Sequence, residues 1–171
     1  MTEGEYRSLH CLRDTLVVSE HTRRTMRANR GKETAPERAL RAALRAAGLT
    51  GYRKNVSALP GRPDVVIPRL RIAVFVHGCF WHGCRRCARN LRPATNSRYW
   101  EAKIAMNRER DERNRAALAE RGYEVVTLWE CEFKERLAEV VASLTSAWRE
   151  SREVAPSPKR RRTKENGKTD A

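Results

Sequence analysis

Residues Leu59–Cys87 read LPGRPDVVIPRLRIAVFVHGCFWHGCRRC, and this stretch decides the fold. Pro60 and Pro63 fix φ and remove two N–H donors, so Leu59–Pro63 is predicted as a turn. Asp64-Val65-Val66-Ile67 and Leu70–Val76 are apolar, β-branched runs about a Pro68-Arg69 corner, which predicts two antiparallel strands. The second run is almost wholly apolar and is expected at the centre of a sheet, buried on both faces. Beyond it the chain changes character. His77-Gly78-Cys79-Phe80-Trp81-His82-Gly83-Cys84 is too polar and glycine-rich to order itself by burial alone.

On the N-terminal side, Thr34, Pro36 and Glu37 carry the marks of a helix start: a cap, a first-turn proline and a capping-box acid. Ala39, Leu40, Ala43, Leu44 and Ala47 supply the apolar stripe, and Gly48 a stop. Tyr52–Val56 reads as a short strand. On the C-terminal side, Tyr99–Arg121 reads as a long helix with Trp100, Ile104, Ala117 and Leu118 as its apolar positions. Tyr123–Trp129 reads as a strand and Phe133–Trp148 as a closing helix. The order helix, strands, helix, strand, helix predicts an α/β sandwich around a small mixed sheet.

Three parts follow. Residues 1–24 lack sustained periodicity and read as a loosely ordered extension, 25–149 as one domain, and 150–171 as a basic, disordered tail. The net charge is +15, with 36 Lys and Arg against 21 Asp and Glu. Ser151–Ala171 holds seven Lys and Arg and three Asp and Glu, which is +4, so +11 belongs to the rest. That excess points to a phosphate-rich partner rather than to a small metabolite. No apolar run approaches the ~18 residues of a membrane span and no signal peptide opens the chain. An intracellular compartment is expected, where cysteines serve as metal ligands or free thiols more often than as disulfides.

Cys79, Cys84 and Cys87 stand at C-x4-C-x2-C spacing, and Cys131 follows the predicted strand that ends at Trp129. Four thiolates around a tetrahedral zinc ion would pin the loop to the sheet; four unconnected thiols are the plain alternative. Cys11 stands apart. His82 lies inside the cluster and is a possible substitute ligand, though four cysteines suffice. Asp64 opens one predicted strand, while Val76 and His77 end its neighbour. The hairpin thus brings a carboxylate, a backbone carbonyl and an imidazole together, a hard set suited to Mg²⁺. Metal-assisted phosphodiester hydrolysis also needs a base near neutrality. His82 is the candidate, with Asp111 on the long helix to orient it. Singly, Asp64 reads equally as a turn residue, the histidines as loop hydrogen-bonders, and Glu37 as a cap partner. Phe80-Trp81 is either core or an exposed wedge for a base stack.

Leu-Pro-Gly-Arg-Pro-Asp, then Val-His-Gly-Cys-Phe-Trp-His, Asn107-x-x-Arg110-Asp111 and Trp129-Glu130-Cys131 closely resemble the very short patch repair (Vsr) DNA mismatch endonucleases, from about Thr22 to Phe133. The resemblance implies a restriction-endonuclease-like three-layer sandwich. It further implies a Mg²⁺-dependent enzyme that nicks duplex DNA 5′ of the thymine in a T:G mismatch. By match to the pattern, Asp64 and the Val76 carbonyl bind Mg²⁺ and His82 is the general base paired with Asp111. His77 assists at the phosphate, and Glu37 contributes from the first helix. Phe80 and Trp81 insert beside the mismatch, and Met26, in the basic arm Thr22–Lys32, inserts from the other groove. Cys79, Cys87 and Cys131 match zinc ligands, whereas Cys84 stands where some members carry histidine, in a loop of slightly changed spacing. Val76-His77 also departs from the acid-x-Lys of the wider nuclease pattern, as in the Vsr branch. A monomer in the bacterial cytoplasm, associated with the nucleoid and working beside other mismatch-repair proteins, is the implied setting. The rivals are a non-catalytic zinc-bound mismatch-binding module and a nuclease of the same fold with broader specificity.

Overall fold

The computed structural model describes residues 33–87 and 95–154, with single positions 16, 19, 20, 23, 24 and 27. Cys11, Met26 and the tail from residue 155 lie outside the described residues. Helix α1 (Ala35–Ala46) is followed by strands β1 (Arg53–Lys54), β2 (Val65–Ile67) and β3 (Ile72–His77). Helix α2 (Ser97–Glu120), strand β4 (Glu124–Trp129) and helix α3 (Phe133–Val154) complete the order.

The sheet order is β1-β2-β3-β4. β1 and β2, and β2 and β3, pair antiparallel, with Val65 opposite Val74 and Ile67 opposite Ile72. β3 and β4 run parallel, Ile72 beside Glu124 through His77 beside Trp129. A parallel neighbour needs a crossover, and α2 supplies it. The result is a mixed α/β fold whose β3 is central, as its apolar run predicts.

Side-chain alternation divides the sheet. Val65, Ile67, Ile72, Val74 and Leu128 face one core with Leu40 and Leu44 of α1 and Val140, Val141 and Leu144 of α3. Each such side chain, taken fully from water, is worth about 1.5–3 kcal/mol. Trp100, Ile104 and Leu118 of α2 are buried outside that core, against the face that carries Ala73, Phe75 and His77. β3 is fully buried only over Ile72–Val74, because Phe75, Val76 and His77 reach the end of the sheet where the site opens.

Several boundaries differ from the sequence reading. The strand expected over Tyr52–Val56 shrinks to Arg53–Lys54, an edge pair with little to hold it. The Pro68 corner takes Leu70 and Arg71 into the turn: Leu70 N donates to Ile67 O at 3.2 Å and Arg71 N to Pro68 O at 3.1 Å. On α1, Ala39 faces solvent while Glu37 and Arg41 are buried, so the inward stripe is rotated from the predicted one. α3 continues six residues past Trp148, and its last turn is tied by Arg69 Nε to Ser151 O at 3.1 Å.

Candidate active site and metal centre

Asp64 sits in the bend between buried Pro63 and β2. The turn before it packs on α2 closely enough that a Cβ on Gly61 would lie 2.9 Å from Asn114 Nδ2. With β2 and β3 in register, Asp64 Oδ2 accepts the backbone N–H of Val76 at 2.8 Å. Burial pushes the Asp64 carboxyl up to about 6; the Val76 N–H opposes this, nearby Glu37 adds to it, and Arg41 and His82 relieve it. A carboxylate held so far from its preferred charge state is poised to gain from a cation.

Glu37 is buried and works as the capping-box acid: its Oε1 accepts from Thr34 Oγ1 at 2.8 Å and its Oε2 from Glu33 N at 3.0 Å. It is also near enough to Asp64 to disfavour a second negative charge there. The two readings of Glu37 are therefore compatible.

Across from Asp64, His82 Nδ1 and Asp111 Oδ2 are 2.5 Å apart. His77 stacks on His82 with centroids 3.8 Å apart and planes within 8°, and stands edge-on to Trp129 at 5.3 Å. Burial, then the charge of His82, bring His77 down to about 4, with Asp111 opposing. His77 is thus neutral at pH 7. Burial pushes Asp111 up, but its bond to His82 and the cationic His82 and Arg110, joined by His77 once acid protonates it, prevail and hold it below the ordinary carboxylate value. The ligand atoms of His77, His82 and Asp111 lie within 4.8 Å of one another, so this trio is itself a group that could hold a metal.

Helix α2 grips the His82 loop at three points. Asn107 Nδ2 donates to Trp81 O at 2.7 Å, Arg108 Nε donates to Gly83 O at 3.1 Å, and Asp111 takes the imidazole between them. Residues 107, 108 and 111 share one helix face at i, i+1 and i+4. Gly83 makes the closest approach: its φ is +60°, and a Cβ there would lie 2.5 Å from Ile104 Cγ2 and 2.6 Å from Arg108 Nε. Asn107 belongs to the Asn107-x-x-Arg110-Asp111 motif of the resemblance, but the motif gives it no role; the structure does, as the donor to the Trp81 carbonyl.

The aromatic pair divides its work. Trp81 is 38% exposed, the one exposed large hydrophobic side chain among the described residues. Phe80 is half-buried, with its ring edge-on to Trp81 at 5.2 Å and to buried Trp100 at 5.1 Å. Trp100, read from sequence as a helix core position, is therefore the floor under an exposed aromatic ridge.

The cysteines gather on the other side of the loop. The Sγ atoms of Cys79, Cys84, Cys87 and Cys131 lie within 4.8 Å of one another. Cys84 Sγ and Cys131 Sγ are 3.7 Å apart, far from the ~2.05 Å of a disulfide. Four sulfurs at ~2.3 Å from one ion form a tetrahedron of edge ~3.8 Å, so the donor set fits a tetrahedral thiophilic metal. Burial pushes the Cys79 thiol strongly upward. At Cys84 burial does the same, but the N–H groups of Arg86 and Cys87 outweigh it and favour a thiolate. His82 is not a member of this cluster. Glu130 ties cluster to sheet: its N donates to His77 O at 2.9 Å and its Oε2 accepts from Cys79 N at 3.4 Å. Glu132 accepts from Arg86, and from Arg136 at 2.7 Å.

Residues 15–89 match the family model of the DNA mismatch endonuclease Vsr. The type II nicking enzyme V.XorIIP of Xanthomonas oryzae pv. oryzae is 43% identical over 116 residues, which cover 68% of this chain and 84% of that protein. The type II nicking enzyme V.NmeAIP of Neisseria meningitidis is 39% identical over 122 residues, 68% of this chain and 86% of that one. The DNA mismatch endonuclease Vsr of Escherichia coli is 41% identical over 113 residues, 66% of this chain and 71% of its own. With a hairpin-borne aspartate, a His-Asp pair and a cluster of four cysteines on one loop-centred site, the chain belongs to the DNA mismatch endonuclease Vsr family.

Proposed function

We propose that this Vsr-family endonuclease nicks one strand of duplex DNA, 5′ of the thymine of a T:G mismatch, in a Mg²⁺-dependent hydrolysis. The observation that carries the reading is the bond of His82 Nδ1 to Asp111 Oδ2 at 2.5 Å, across from the buried carboxylate of Asp64 and next in sequence to exposed Trp81. Binding alone requires neither a held imidazole nor a buried acid. The order of the sheet, with helices on both faces, supports a restriction-endonuclease-like three-layer sandwich for the domain.

In this reading Asp64 and the Val76 carbonyl hold Mg²⁺, which when bound neutralises charge on the scissile phosphate and on the departing oxygen. His82, protonated on Nδ1 toward Asp111, presents Nε2 to the attacking water and takes its proton, and Asp111 stabilises the resulting imidazolium. Neutral His77 donates an N–H to a phosphate oxygen, and Glu37 keeps the Asp64 flank negative. Trp81 and Phe80 enter the stack beside the mismatch, with Trp100 behind them, and Met26 reaches the other groove. Unstacking costs a few kcal/mol, and a mispaired step costs least, so the wedge itself favours mismatches. Cys79, Cys84, Cys87 and Cys131 hold a structural Zn²⁺ that fixes the loop carrying both wedge and base. The protein acts as a monomer in the bacterial cytoplasm alongside other repair proteins. No helix among the described residues is long and apolar enough to cross a membrane.

The test is a nicking assay on a labelled duplex with one T:G pair and on its fully paired control, with Mg²⁺, with EDTA and with Asp64→Ala. A single cut 5′ of the thymine, absent from all three controls, is expected. Tight mismatch binding with no cut in several sequence contexts and divalent metals would convert the reading to a non-catalytic sensor. Equal cutting of other mispairs would convert it to a broader nuclease.

A further inference from the structure

The flank of α1 carries a groove of about 550 Å³ that the chemistry above does not use. Arg38, Arg41, Arg45 and Lys54 line it with Tyr52 and Glu33. Four cations against one carboxylate leave it +3. Arg41 is 5% exposed, and its Nη1 has no hydrogen-bond partner; the nearest acid, Glu37 Oε2, is 3.7 Å away. The other arm of Arg41 pairs with Glu33, whose Oε1 also meets Lys54 Nζ at 3.4 Å. Tyr52 holds the far wall, its hydroxyl accepting from Arg45 Nη1 at 2.8 Å and donating to the Arg41 carbonyl at 3.4 Å. That Nη1 is closed to solvent and faces only the long ion pair with Glu37, so the guanidinium is held rigidly behind the groove at a cost in unmet hydrogen bonding.

The position narrows the ligand. Lys54 stands across from Val65, and Asn55 N donates to Asp64 O at 3.4 Å, so the groove begins one strand away from Asp64. Glu37 lies between Arg41 and Asp64, touching the first and acting on the second. A strand whose scissile phosphate sits at Asp64 would run onto this cationic wall within a nucleotide or two. The lining residues are Arg, Lys, Glu, Thr and Tyr, with no aliphatic wall for an acyl chain. Arg fits phosphate oxygens in a fork, and Lys adds a point charge.

We infer that this groove is a second phosphate site, in which Arg41, Arg45 and Lys54 hold a backbone phosphate of the DNA flanking the one that is cut. It rests on the reading that the chain acts on duplex DNA. Glu33 occupies part of the cationic wall and is displaced when the phosphate enters. The site adds affinity without sequence information, because a phosphate is the same at every step.

The experiment is fluorescence anisotropy of a labelled T:G duplex over a KCl titration. It compares wild type with Arg45→Gln/Lys54→Gln, and with Arg149→Gln/Arg152→Gln on α3, a pair that removes the same charge from side chains that do not line the groove. Loss of one phosphate contact lowers the slope of log K against log salt by about 0.9, equivalent to about eightfold weaker binding at 0.1 M relative to 1 M salt. That loss is expected for the groove pair, with restoration in Arg45→Lys/Lys54→Arg and little change in the α3 pair. Thermal melting confirms that each variant is folded. An unchanged slope, or equal loss in both pairs, overturns the proposal. Saturable competition by inorganic phosphate at matched ionic strength, with the DNA slope unaltered in the variant, assigns the groove to a free anion and also overturns it. Nicking is scored in parallel. A wild type that binds with the groove-dependent slope but never nicks removes the catalytic reading and leaves the groove; nicking without a slope difference does the reverse.

Discussion

Replacing Asp64 by Asn should make the protein more stable while removing its activity. Burial raises this carboxyl from 3.8 to about 6, so the folded state holds a proton that the unfolded chain has already released. At ~1.4 kcal/mol per pH unit the difference is ~3 kcal/mol at neutral pH. The sign follows from linkage. Asp64's contribution is fully present below about pH 4, is lost as pH rises towards and through about 6, and is absent at pH 7 and above. Asn removes the charge and keeps an acceptor for the Val76 N–H, which donates at 2.8 Å. Its new NH₂ group, poorly partnered at this site, returns ~1 kcal/mol of the gain. The net expectation is ~2 kcal/mol, or a melting temperature ~4–8 °C higher for a chain of this size. Urea or thermal unfolding at pH 8, 7, 6 and 5, in zinc-containing, Mg²⁺-free buffer, should show the variant ahead by the full margin at pH 7–8 and by much less at pH 5. Loss towards acid of any metal held by the four cysteines affects both proteins and cancels in the difference. Added Mg²⁺ should close the gap from the wild-type side only, since it binds the ionised carboxylate. An Asp64→Asn protein less stable than wild type at pH 7, or a margin that does not change with pH, would refute the account of Asp64 as a strained carboxylate.

Three further outcomes follow from the geometry. Asp111→Asn keeps the shape around His82 but removes the negative partner of its imidazolium, so single-turnover nicking should fall at least ~100-fold with duplex affinity changed less than ~3-fold; a near-normal rate rules out His82 as the base. Gly83→Ala puts a Cβ 2.5 Å from Ile104 Cγ2 at a φ of +60°, and urea unfolding should register a loss of ~2–4 kcal/mol, whereas a loss under ~1 kcal/mol would mean that the clamp yields freely. Trp81→Ala removes a stacking surface worth ~1–3 kcal/mol, so the preference for mismatched over matched duplex should drop ~5-fold or more; unchanged discrimination would place mismatch reading elsewhere.

The parts legible in the sequence are those whose cause is local. The Thr34–Glu37 capping box, the proline turn before Asp64 and the apolar run of β3 are each set by adjacent residues, and each forms, β3 starting two residues later than its pattern predicts. The four cysteines are legible from their C-x4-C-x2-C spacing and the fourth at a strand end, and their Sγ atoms meet within 4.8 Å. What escaped depends on tertiary placement. Arg41 sits at a helix position that its charge marks as solvent-facing, yet it is buried against Glu33 and Glu37. Ala39 satisfies the helical stripe but faces out, because an alanine adds too little apolar area to decide how the helix rolls. Arg108 looks like an ordinary surface residue of a polar helix, and Asn107 like a motif position without a role, until the carbonyls of Gly83 and Trp81 are placed beside them.

Those two carbonyls explain why the aromatic ridge and the histidine belong to one device. Trp81 and His82 are consecutive, Asn107 holds the peptide between them, and Asp111 one turn later holds the imidazole. On the far side, Cys79 and Cys84 are anchored to Cys131 at the end of β4, with Cys84 N donating to Cys79 O at 2.9 Å. The loop is therefore gripped by a rigid helix on one side and by the cysteine cluster on the other, with little slack between. A displacement of Trp81 of the size that insertion into a base stack requires cannot leave His82 where it was. On the proposed reading, engagement of a mismatch by Trp81 and placement of His82 as the base would therefore be linked, and a matched duplex that does not admit Trp81 would leave the imidazole off its line to the phosphate. Misplacement by ~1 Å is enough to cost ~100-fold in rate. On that reading a wedge of modest binding selectivity would serve as a larger selectivity in cutting.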